Sequence, residues 1–286
     1  MSKSIDTAMV LAAGLGTRMQ PLTSSQPKPL MILAGRPLID HVLDRLAVAG
    51  IRRAVVNVHY KADMLEAHLA GRQLPHIIIS DERQQLLETG GGIRKALPFL
   101  GSNPFIVHNS DSIWLETTGS NIARLLAAWD PSQMDCLLML AATRQALGYD
   151  GKGDFSLLSG GHLARRAEAE TAPYVFVGVH IVKPELYDGL PADPFSQNRV
   201  WDIALARDRA FGVVMEGQWM HVGTPEALAE AEAAMAGSGK TRATIASSAS
   251  RAAGISVIGT ALDAHNDDIA VAGNDGGGDG GGSGGD

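Results

Sequence analysis

The sequence predicts an α/β fold, a mostly parallel sheet flanked by helices with a small antiparallel layer inserted in its second half. Three observations carry this reading. Short apolar runs alternate with amphipathic segments from Ala8 to about Ala142, the first of these runs leads straight into a glycine-rich loop, and after Tyr149 the texture changes to short β signals broken by glycine turns.

Each element has its own warrant. Strands are expected at Ala8–Ala12, Ala54–Val58, His76–Ile79, Phe105–His108 and Cys136–Ala141, each a short, mostly apolar run. Between the first two, Pro37 suits a first helical turn, Leu38, Ile39, Val42, Leu43 and Leu46 form one apolar face, and Gly50 ends the helix. Further helices fit Asp63–Leu69, Gly92–Leu97 and Asn121–Trp129. In the second half, Phe155–Leu158 and His162–Ala164 flank the turn Ser159-Gly160-Gly161, and a longer β run covers Tyr174–Val182. This inserted layer is placed to cover a site on the first half. Pro225–Ala236 reads as a last helix. The remainder, residues 237–286, is rich in Ala, Ser, Gly and Asp, buries too little apolar area to offset chain entropy, and is expected to be a disordered tail with at most a stray strand at Ile255–Ile258.

Composition narrows the function. The 286 residues are 45% apolar, enough for a packed core, and a net charge of −7 lacks the basic stripe that nucleic acid requires. Cys136, the single cysteine, lies in an apolar run and reads as a buried structural thiol. No stretch reaches the ~18 apolar residues of a membrane span, and Met1–Asp6 lacks a signal-peptide pattern, so a cytoplasmic protein without a membrane partner is expected.

Four blocks carry chemistry. In Leu11-Ala12-Ala13-Gly14-Leu15-Gly16-Thr17-Arg18, followed by Pro27-Lys28-Pro29-Leu30, glycines let the backbone approach a ligand while Arg18 and Lys28 add fixed positive charge. Such a loop suits a triphosphate, and the missing third glycine argues against a dinucleotide fingerprint. In Leu87-Glu88-Thr89-Gly90-Gly91-Gly92-Ile93, three glycines before a helix let the backbone pass beside a flat base and expose N–H groups. Phe105–Asp111 is a buried strand ending in polar residues where open α/β sheets bind ligands, which places Asp111 to hold magnesium. Gly217–Pro225 contains His221. A fifth stretch, Ala234–Thr241, satisfies a loose P-loop pattern, but it follows an Ala/Glu helix rather than a strand.

The first block resembles, over residues 11–30 and nearly without a gap, the signature of the nucleoside-diphosphate-sugar pyrophosphorylase family of sugar-1-phosphate nucleotidyltransferases. The other blocks extend the resemblance to about residue 235. It implies a Rossmann-like, GT-A-like fold in which residues 1–236 are the nucleotidyltransferase domain and the inserted layer binds the sugar. It further implies that Leu11, Ala13 and Gly14 hold base and ribose, Gly16, Thr17 and Arg18 hold the β- and γ-phosphates, and Lys28 reaches the reacting phosphate oxygens. Gly90 and Gly91 fall where the family recognises the nucleobase, and Asp111 where it binds metal. Asn109, Glu168 (or Glu170) and Gly178 fall in the sugar-phosphate region, although the match around Ala172–Val179 is loose.

His221 is the main departure, since most members have a second metal-binding carboxylate there. It reads as a metal ligand, as a contact to a phosphate oxygen or metal-bound water, or as a sign of lost activity; Asp202 is a spare acidic ligand. Manganese joins magnesium as a candidate ion, because imidazole suits the later divalent ions better. The form Glu-Thr-Gly-Gly-Gly-Ile looks most like the branch that couples UTP to N-acetylmuramate α-1-phosphate in cell-wall recycling. The alternatives are mannose-1-phosphate guanylyl transfer, a catalytically silent nucleotide-binding regulator, and a dinucleotide-dependent oxidoreductase.

Overall fold

Residues 5–237 are described by the computed structural model, and among them the expected alternation forms one nine-stranded sheet. In chain order the elements are β1 (Thr7–Leu11), a two-residue hairpin of β2 (Ile32–Leu33) and β3 (Arg36–Pro37), α1 (Leu38–Val48), β4 (Arg53–Val58), α2 (Ala62–Leu69), β5 (His76–Asp81), α3 (Glu88–Leu100), β6 (Phe105–Asn109) and β7 (Ser112–Leu115). Then come α4 (Asn121–Ala128), β8 (Cys136–Ala142), β9 (Phe155–Leu157), β10 (Leu163–Arg165), β11 (Tyr174–Val182), α5 (Asn198–Ala206), β12 (Ala210–Val214) and β13 (Gln218–His221). A last helix covers residues 225–237 and includes the opening residues of the P-loop-like stretch. The other residues assigned to the tail, with Ile255–Ile258, lie outside the described residues.

The parallel half runs β5-β4-β1-β6, with Ala8 opposite both Ala54 and Ile106. Strand alternation sends Ala8, Val10, Val56 and Ile106 into one core with α1, α2 and α4. The intervening Met9, Val55, Phe105 and Val107 enter a second core with α3 and α5. Both faces are therefore apolar, which explains why these strands read as continuous hydrophobic runs.

The antiparallel part joins the sheet edge to edge instead of stacking on it. Strand β11 lies between β6 and β8, antiparallel to both, and β9 with β10 continues from its Tyr174 end. A register shift between Phe176 and His180 contains Gly178, whose φ of 83° only glycine adopts at ease. The Asn198–Asp202 stretch opens α5, which buries Val200, Trp201 and Ala204. A separate ribbon pairs β7 with β13 and sets His221 opposite Ser112, one residue from Asp111. Cys136 is buried and its thiol is pushed up by burial, as a structural role requires.

Candidate active site

The loop after β1 is tied down at both ends. The Ala12 N–H donates to Asn57 Oδ1 at 2.7 Å, and the Thr23 hydroxyl donates to the Gly16 carbonyl at 2.9 Å. Gly16 has φ 63°, and a Cβ there would lie 3.0 Å from Thr23 Cγ2 and 3.1 Å from Lys28 Cβ, so this position needs glycine. Gly14 meets nothing within 4 Å and borders open space.

That space is a cavity of about 510 Å³ at the C-terminal ends of β1, β4 and β6. Leu11, Ala13, Gly14, Gly16, Thr17 and Arg18 line one side, and Lys28, Asn109 and Asp111 complete it. Arg18 makes no hydrogen bond or ion pair among the described residues, so its charge is available to an anion. Lys28 Nζ stands 2.5 Å from Asp111 Oδ2, with side chains 12% and 28% exposed. Burial raises the Asp111 carboxyl, but the adjacent Lys28 charge outweighs it and holds the group below its ordinary value. The His221 imidazole is held below its usual value by burial and by Lys28 and Arg18, against the pull of Asp111. It is therefore neutral at pH 7 beside the carboxylate, the form a metal ligand or hydrogen-bond partner requires.

The turn carrying Asp111 is braced from behind. Ser110 N donates to the Leu11 carbonyl at 3.0 Å, and His108 stacks on Trp114, whose other neighbour is the Arg45 guanidinium 4.4 Å from its ring centre. Burial lowers His108 to about 3, so this support carries no titration near neutrality.

The glycines of the second block have a different role from the one expected. Gly90 and Gly91 do not line this cavity; both N–H groups donate to the Phe195 carbonyl, at 2.8 and 3.1 Å, and a Cβ on Gly90 would lie 2.3 Å from the Phe195 ring. They let the 193–197 segment pack onto the start of α3, and their donors are used up. The residues that do line the nucleotide-sized cavity are Leu86, Glu88 and Thr89, and Glu88 holds a left-handed φ of 63° that is costly for a residue with a Cβ.

Asn57 and Glu82, which sequence reasoning missed, join the two loops. Asn57 Nδ2 donates to Glu82 Oε1 at 2.8 Å, and Glu82 Oε2 accepts from Leu87 N at 3.1 Å, both side chains being buried. Gly92 is required because a Cβ would sit 2.7 Å from Glu82 Oε1. The available signal was a polar residue at the C-terminal end of an apolar strand.

A second cavity of about 350 Å³ adjoins the first and shares Leu11, Thr89 and Asn109 with it. Asp154, Arg165, Phe176, His180, Gln197 and Trp201 line it. Glu168 and Glu170 do not: both are exposed, and they are engaged through their backbone, with both carbonyls accepting from Arg166 and the Glu170 N–H donating to the Ala167 carbonyl. Gly178 lies behind Asn109, where a Cβ would be 2.9 Å from its Nδ2, so this glycine sets the Asn109 side chain rather than facing the cavity. Asp202 pairs with Arg165 at 2.6 Å and lines neither cavity, which removes it as a spare metal ligand.

A glycine loop with an arginine unpaired among the described residues, a lysine–aspartate pair at the same strand ends and an adjoining cavity form a site suited to a phosphate-bearing ligand. Residues 7–149 match the model of the nucleotidyl transferase family. The chain is 52% identical over 240 residues to an N-acetylmuramate alpha-1-phosphate uridylyltransferase of Caulobacter vibrioides, covering 82% of this chain and 99% of that one. It is 36% identical to an enzyme of the same name from Neisseria meningitidis serogroup B, over 79% and 96% of the two chains. A UDP-glucose pyrophosphorylase solved with UDP-glucose has the same fold, with TM-score 0.67 and 17% identity over 82% and 99% of the chains. The chain thus belongs to the nucleotidyl transferase family and is a sugar-1-phosphate nucleotidyltransferase. No helix among the described residues is long and apolar enough to cross a membrane.

Proposed function

We propose that this chain transfers the uridylyl group of UTP to N-acetylmuramate α-1-phosphate, giving UDP-N-acetylmuramate and pyrophosphate. The domain at residues 1–236 carries the reaction, which fits cytoplasmic reuse of a cell-wall sugar. The observation that carries the proposal is the meeting of two cavities at Leu11, Thr89 and Asn109, one with phosphate-binding cations and one of monosaccharide size. Supporting it are the uridylyltransferase names borne by the two relatives above.

In this reaction an oxygen of the sugar phosphate attacks the α-phosphorus of UTP in line. The bond from that phosphorus to the bridging oxygen breaks, and pyrophosphate leaves with the electron pair. No base is needed, because a phosphate monoester is ionised at neutral pH. Arg18 neutralises the β- and γ-phosphates, Lys28 faces the charge that develops at the reacting phosphate, and Asn109 positions the two substrates at the junction.

The donor set fits a divalent ion of the magnesium type, which takes one or two carboxylates and completes its shell with phosphate oxygens and water. Asp111 is a partly exposed carboxylate in the cavity wall, and the described residues contain no group of three or more ligating side chains that would hold a metal by themselves. Asp111 and His221 are the residues that would hold the ion, which supplies charge neutralisation between the two anions.

Pyrophosphate release across UTP, GTP, TTP and CTP against N-acetylmuramate, glucose and mannose 1-phosphates tests the proposal. UTP with N-acetylmuramate α-1-phosphate is expected to give the highest kcat/KM. A preference for GTP with mannose 1-phosphate, or nucleotide binding without turnover, overturns it.

A further inference from the structure

The walls of the second cavity carry more donors than the protein satisfies. Arg165 uses Nε on Asp202 at 2.6 Å and Nη2 on the Asn198 carbonyl at 3.1 Å, while Nη1 has no partner among the described residues. The guanidinium lies over the Phe155 ring, 5.3 Å from its centre, which fixes the plane of the fork. Gln197 Oε1 accepts from Tyr187 at 2.8 Å, so its Nε2 is the atom that donates to His180 Nε2 at 3.3 Å. The His180 ring, kept neutral by burial, then carries its hydrogen on Nδ1, and that nitrogen has no partner. Trp201 Nε1, a donor only, is also buried without an acceptor. Buried polar groups are normally paired, so two unsatisfied buried nitrogens, together with the free Nη1 of the solvent-accessible Arg165, give the residues of this cavity spare donors that suit a ligand rich in acceptors. A plain hexose offers hydroxyls. An N-acylated sugar acid offers a carbonyl and a carboxylate.

We infer that Arg165, held in place by Asp202, is the residue that selects a sugar 1-phosphate bearing a carboxylate substituent, through a charge-assisted hydrogen bond to that carboxylate. Asp154 fits the remainder of such a ligand, because Oδ2 accepts from Phe176 N at 2.9 Å and Oδ1 is left for a sugar hydroxyl. The inference rests on the proposed function and adds to it the residue that makes the enzyme choose an acid over a neutral sugar.

The test compares N-acetylmuramate α-1-phosphate with N-acetylglucosamine α-1-phosphate, which keeps the acetamido group and lacks the carboxylate, using UTP and the full-length enzyme. The ratio of kcat/KM for the acid over the neutral sugar is expected to fall at least tenfold in Arg165→Gln, through KM for the acid, and less in Arg165→Lys, which keeps the charge without the fork. An unchanged ratio in Arg165→Gln overturns the inference, even if both rates fall together, and leaves the proposed function standing when the wild-type enzyme still uses the acid. A wild-type enzyme that forms no UDP-sugar from the acid overturns both.

Discussion

Replacing Asn57 with alanine tests the link between the two loops of the nucleotide cavity. The substitution removes the acceptor of the Ala12 N–H and the donor to Glu82 Oε1, and it leaves both buried and unpaired. An orphaned buried polar group costs roughly 1–3 kcal/mol, so the two together amount to about 2–6 kcal/mol. At roughly 2–4 °C per kcal/mol for a domain of this size, Tm should drop by about 4–24 °C. Urea denaturation measures the energy directly, and KM for UTP should rise in parallel because Ala12 lines the cavity and Leu87 lies between the lining residues Leu86 and Glu88. A loss below ~1 kcal/mol with unchanged KM would refute the reasoning, since it would mean that water replaces the amide at no cost.

Arg18→Ala should lower kcat by about a hundredfold or more without changing the fold, because its charge has no ion-pair partner among the described residues and is available to bound phosphate; steady-state kinetics and circular dichroism check this. Lys28→Ala should destabilise the protein in a pH-dependent way. Lys28 depresses the Asp111 carboxyl, so the stabilisation is full above the ordinary carboxylate value of about 4 and fades as pH falls through the lowered one; the Tm difference from wild type between pH 7 and 3 should shrink on the acid side. Glu88→Gly should stabilise the protein by about 0.5–1 kcal/mol in urea denaturation, because it removes a Cβ from a left-handed backbone. His221→Asp should keep activity and shift the preferred ion from manganese towards magnesium, and His221→Ala should fall between it and Asp111→Ala; matched rates for wild type and His221→Ala with both ions would remove His221 from the metal site.

The first half of the fold was legible because its signals are local. A buried parallel strand reads as an apolar run, and Leu38–Leu46 shows its face without reference to anything else. The position of β11 between β6 and β8 depends on pairings with residues 105–109 and 136–142, and nothing inside Tyr174–Val182 names those partners. The same divide runs through the site. Gly16, Arg18, Lys28 and Asp111 stand at strand ends where phosphate chemistry is expected, and the structure brings them together. Gly90 and Gly91 were legible as positions that need glycine, but the reason, Phe195, lies about a hundred residues downstream. Asn57 and Glu82 look like ordinary strand-end polar residues until their side chains meet. Glu168 matched a loose motif on a turn whose backbone alone is engaged, whereas Asp154 and Arg165 reach the second cavity from the residues that border the two short expected strands, where the sequence indicates no role.

The central claim is that the nucleotide's α-phosphorus, and no other, is transferred to the sugar phosphate. It is tested most directly by incubating the enzyme, N-acetylmuramate α-1-phosphate and a divalent ion with UTP labelled at either the α- or the γ-phosphorus. The α-label is expected in the nucleotide sugar and the γ-label in pyrophosphate, in equal amounts. Label from the γ-position on the sugar, or release of γ-label as inorganic phosphate alone, would contradict it.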